Sequence, residues 1–211
     1  MSNYVRSAAY AASQALAAQG LTVKRSHLSE VVAALLGYRT YAALVVEDAN
    51  PKLDYHLDDA NIVVLNLPMG AARVLELGLE EGTAPSMVTS ACVVALKASA
   101  DRVSVYEGVA DFYDSHAREA LAEAIYNSDE LAGAMPAIRT NLKWTLSARR
   151  LWAATDEWTI EADGDMTGEY DPEGDRMFNG GHAELPRGVD LPQGGLRWIG
   201  VCRGRRNWRR Q

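Results

Sequence analysis

Cysteine is scarce in this chain: only Cys92 and Cys202 carry a thiol among 211 residues. Two cysteines supply no disulfide framework and point to a reducing compartment. Cys92 lies in the apolar run ACVVAL, where burial raises a thiol pKa and makes the group inert. Long hydrophobic runs are absent too. None approaches the ~20 residues that a helix needs to span a bilayer, so no membrane association is expected. The first twenty residues, MSNYVRSAAYAASQALAAQG, lack a basic leader and a Leu/Val-rich stretch. They read as a helix and not as a signal peptide, and the expected address is the cytoplasm. No P-loop, GxGxxG, GxSxG or CxxC occurs. Of four histidines, at 27, 56, 116 and 182, none sits on a strand with a carboxylate two residues away. The sequence therefore assigns no catalytic residue, no cofactor and no metal, and it leans towards a non-enzymatic protein.

What is present is a foldable body. About half of the residues are apolar (48%), enough for a core, and the length suits one domain, alone or with a small appendage. Val5, Ala9, Ala12 and Leu16 fall on one stripe of a helix over 3–19, which Gly20 ends. Ser26 is positioned to cap a second helix over 27–36, whose apolar face is Leu28, Val31, Val32 and Leu35. Gly37 stops it. Thr40 caps a third helix to about residue 46, with Tyr41, Leu44 and Val45 inward, and alanines 33, 34, 42 and 43 permit close helix approach.

Further along, the β-branched run over 62–65 predicts a buried strand. Helices are expected over 69–77, ended by Gly78, and over 84–98, capped by Thr83 with Pro85 in the first turn. Residues 103–106 suit a strand or the lead-in to a long helix over 107–127. A last helix covers 129–152, interrupted at Pro136. Beyond residue 156 the period shortens to two, with Trp158, Ile160 and Ala162 alternating, and again over 196–202. The expected fold is α+β: a mostly helical body with a small C-terminal antiparallel β-sheet. Its units are 1–50 (helical hairpin), 51–152 (helical body), 153–202 (β subdomain) and 203–211 (Arg-rich tail).

The segment 24–44, KRSHLSEVVAALLGYRTYAAL, resembles a small helical domain annexed to some bacterial proteins labelled glyoxalase superfamily. The likeness rests on Ser26, His27, Leu36, Gly37, Tyr38, Tyr41 and Leu44, and with the preceding helix it covers residues 3–48. It implies a bacterial accessory or mobile-element protein and carries no chemistry with it. It does not reach the glyoxalase enzyme fold, whose metal site needs His and Glu on strands. As a helix-turn-helix the pair is poor, since its second helix offers only Arg39, Thr40 and terminal acids.

Charge is strongly segregated near the C-terminal end. The net charge is −7, yet residues 156–175 hold nine acids and no base, while 203–210 hold five arginines and no acid. Asp163, Asp165, Glu169, Asp171, Glu173 and Asp175 form the candidate acidic surface. Asp163, Asp165, Thr167 and Gly168 have the spacing that opens a calcium loop, but Gly174 stands where a bidentate Glu belongs, so the segment reads as a solvated acidic loop. Arg203, Arg205, Arg206, Trp208, Arg209 and Arg210 form the candidate binding tail. Three readings fit the tail: ion pairs with the acidic block, a protein partner, or nucleic acid, with arginines on phosphates and Trp208 stacked on a base. His116 and Glu119 have a helical His-x-x-Glu spacing, which reads as a solvated face. The functional expectation is an accessory protein that binds another macromolecule, a protein first and nucleic acid second. An enzyme with an unrecognised pocket is the third reading, and a homodimer through the Ala-rich helix is compatible with all of them.

Overall fold

In the computed structural model the described residues are 3–52, 56–79, 84–100 and 103–120, together with the backbone of six strands between 138 and 200. Helix α1, Asn3–Ala17, buries Val5, Ala8, Ala9, Ala12 and Leu16 along one side. Gly20, at φ 78°, closes it: the Gly20 amide donates to Ala17 O at 3.0 Å and the Leu21 amide to Leu16 O at 3.0 Å. Those two bonds are a Schellman motif, which needs a residue tolerant of positive φ. Helix α2, Arg25–Leu35, ends in the same way at Gly37, with Gly37 and Tyr38 amides bonded to Ala34 O and Ala33 O at 2.9 Å each. Its cap is Lys24, with no side-chain hydrogen bond; Ser26 lies two positions further on, inside the first turn.

Helix α3, Tyr41–Asp48, starts where expected, with Thr40 Oγ1 accepting the Ala43 amide at 3.1 Å. Leu44 is buried, Tyr41 and Val45 are half-buried, and Ala42 and Ala43 are exposed, so only Ala33 and Ala34 serve close packing. A 3-10 turn, Leu57–Asp59, leads into strand β1, Ala60–Val64. Helix α4, Leu67–Glu76, is capped by Asn66, whose Oδ1 accepts the Met69 amide at 3.1 Å. Helix α5, Pro85–Ala98, carries Pro85 in its first turn, where no amide is missed. Strand β2, Ser104–Tyr106, precedes α6, Val109–Phe112, which continues as a π turn over Tyr113–Ala117.

β1 and β2 pair in parallel, Ile62 with Ser104 through Val64 with Tyr106. Parallel neighbours need a crossover of a dozen residues or more, and α4 with α5 provides it. Helices α1, α2, α4 and α5 pack on one another around Leu16, Leu28, Val32, Leu35, Val88, Cys92 and Leu96, with Val63 and Leu65 reaching the same core. Each fully buried Leu contributes about 1.5–3 kcal/mol relative to exposure.

This arrangement corrects the expected architecture of a helical body with a small C-terminal antiparallel sheet attached. The sheet of the described body is a parallel pair packed on the helices, drawn from residues before 107. Three later strands join it: β8 (Trp198–Gly200) lies against β1, in the order β2-β1-β8-β7-β4, where β4 is Glu157–Ile160 and β7 is Val189–Gly195. A second sheet has the order β3-β5-β6 over Ile138–Trp144, Ala162–Gly168 and Ala183–Glu184. Residues 138–144 are thus a strand where a helix was expected. The physical reason is that Ile138 and Leu142, four residues apart, share a face in a helix and in a strand alike, and alternation says nothing of which strand will be the partner.

Candidate functional site

The candidate residues of the charged region fall largely outside the described residues: Glu169, Asp171, Glu173, Asp175, Arg203, Arg205, Arg206, Trp208, Arg209 and Arg210 all do. Asp163 and Asp165 lie on β5, in register with Lys143 and Asn141 of β3, and Asp165 is also in register with Glu184 of β6. Two residues apart on a strand, they share one face. A paired, extended backbone at Asp163 and Asp165 differs from the tight turn that a calcium loop demands.

In the body several charged side chains engage one another. Arg73 on α4 donates through Nη2 to Glu30 Oε2 on α2 at 2.7 Å and through Nη1 to Glu76 Oε2 at 2.8 Å. Glu30 Oε2 also accepts the Tyr41 amide at 3.1 Å, so one carboxylate ties α2, α4 and the first turn of α3. The hydrogen bonds to Glu76, then to Glu30, hold the Arg73 pKa above the ordinary arginine value. Lys97 Nζ bonds Glu107 Oε1 at 2.7 Å, and Tyr38 donates its hydroxyl to Glu47 Oε1 at 2.9 Å. The sequence signal for the first of these was the Arg73/Glu76 spacing; its link to Glu30, 43 positions earlier, had none.

His116 is not on a freely solvated face. It is half-buried, with its ring 5.7 Å from Phe112 and 6.0 Å from Tyr106, and Tyr106 meets Phe112 edge-on at 5.3 Å. Asp111 of the same helix is taken up locally, accepting the Glu107 amide at 2.7 Å and the Ser115 hydroxyl at 3.1 Å. Among the described residues no three His, Cys, Asp or Glu side chains converge as metal ligands would. Ser26 and His27 sit in the first turn of α2, where His27 is half-buried. Cys92 is fully buried and its thiol is pushed up to about 12 by loss of solvent, as its apolar neighbours predict.

Two surface features remain. Between α1 and α5 runs a shallow groove lined by Ala15, Gln19, Ser86, Met87, Ser90, Ala91 and Val94, of which Val94 is 65% exposed. Tyr10 on α1 lies under the Arg25 guanidinium, 5.9 Å from its ring centre. Among the described residues no helix is long and apolar enough to cross a membrane. No family model, curated protein or solved structure matches this chain.

Proposed function

We propose that the chain is a non-enzymatic bacterial accessory protein of the cytoplasm that binds another protein through its charged C-terminal region. The observation that carries this reading is the charge segregation: nine acids without a base over 156–175 and five arginines without an acid over 203–210. A dense acidic block presents carboxylates much as a nucleic acid presents phosphates, and it suits a partner with a basic surface. The pairing within the body supports the same assignment. Glu30, Arg73, Glu76, Lys97 and Glu107 engage one another, and the C-terminal charges form the larger one-signed blocks. The resemblance of residues 3–48 to helical domains of bacterial accessory proteins belongs to this reading and adds no chemistry.

Nucleic-acid binding through the tail is the second reading, favoured by one feature: Trp208 stands among arginines, which is the composition of a stacking, phosphate-binding arm. Affinity capture from bacterial lysate separates the two. The full-length chain is compared with one variant in which Asp163, Asp165, Glu169, Asp171, Glu173 and Asp175 become amides, and with another in which the five tail arginines become Gln. A protein retained after nuclease treatment and lost in the amide variant supports the proposal. Recovery of nucleic acid alone, lost in the Gln variant and falling steeply with salt, overturns it in favour of the second reading.

A further inference from the structure

We draw no further inference here: the strongest candidate, the shallow uncharged groove between α1 and α5 around Ala15, Gln19, Met87, Ser90 and Val94, carries nothing because nothing in the structure shows what covers it.

Discussion

A β-carbon added to Gly70 would lie 2.5 Å from Cδ2 of Leu35 and 2.8 Å from its Cγ. Gly70 thus lets α4 settle directly on α2, and the Asn66 amide donates to the Leu35 carbonyl at 2.7 Å just before it. Leu35 is fully buried, so its side chain has little room to retreat. Gly70→Ala should destabilise the fold by about 1–3 kcal/mol, the usual cost of overfilling a packed core, despite alanine's better helix propensity. The urea midpoint measures this; an unchanged or raised midpoint would show that α4 and α2 do not touch as described.

Glu30 and Glu76 both bond Arg73, yet they should not be equivalent. Glu76 is 63% exposed at its side chain and makes an i,i+3 pair, a class worth only a few tenths of a kcal/mol. Glu30 is 25% exposed and additionally takes the Tyr41 amide. Glu30→Ala should therefore cost about 1–3 kcal/mol and Glu76→Ala under about 0.5 kcal/mol. Thermal unfolding of the two variants side by side tests the order; equal losses would remove Glu30 from the junction of α2, α3 and α4.

Cys92 should be silent towards thiol reagents in the folded chain. It has no exposure, and its raised pKa leaves almost no thiolate at about pH 8. Labelling with a chromogenic disulfide should report reaction of Cys92 only after denaturant is added, mapped by peptide mass. Rapid labelling of Cys92 in native buffer would contradict its position in the core.

The same burial makes stability fall in alkali. The Cys92 thiol moves from 9.0 to about 12, and the half-buried Tyr4 hydroxyl, which donates to Leu96 O at 3.1 Å, is raised as well by loss of solvent. Both groups keep their protons in the folded chain at a pH where the unfolded chain has lost them. Their contribution is fully present below the unfolded values and is lost as pH rises through the folded ones. The urea midpoint should decline from about pH 9 up to about pH 12, and Cys92→Ala should flatten that slope while lowering the midpoint at neutral pH. A slope unchanged in the variant would assign the alkaline loss elsewhere.

Much of the helical body was legible because its signals are local. The stripe Val5, Ala9, Ala12 and Leu16, the face Leu28, Val31, Val32 and Leu35, the stops at Gly20, Gly37 and Gly78, and the Thr40 cap all act within a few residues. Two caps were misplaced for an equally local reason, and a third was missed. Ser26 is a better capping residue than Lys24, but the backbone turns two steps earlier; α5 is capped at Ala84, with no side-chain bond, and not at Thr83; and Asn66 was hidden between apolar neighbours. The parallel partner of β1 was not legible, since nothing near Ile62 names Ser104. Nor was the π turn after Phe112, which widens the helix over Tyr113–Ala117 before it resumes at residues 118–120. The charged region gave composition only, and apart from Asp163 and Asp165 its candidate residues lie outside the described ones.

The parallel pair also orders events in time. Bringing Ile62 to Ser104 closes a loop of about forty residues, at roughly 3 kcal/mol of chain entropy, whereas the turn at Gly37 closes within one helix end. Contacts so distant in sequence form late, after helices whose bonds are local. Refolding should accordingly protect the Gly37 amide early and the Leu65 amide, held by Tyr106 O at 2.9 Å, in the final phase. Pulsed hydrogen exchange would resolve the two, and β1 and β2 would pair only after the helices between and around them had formed.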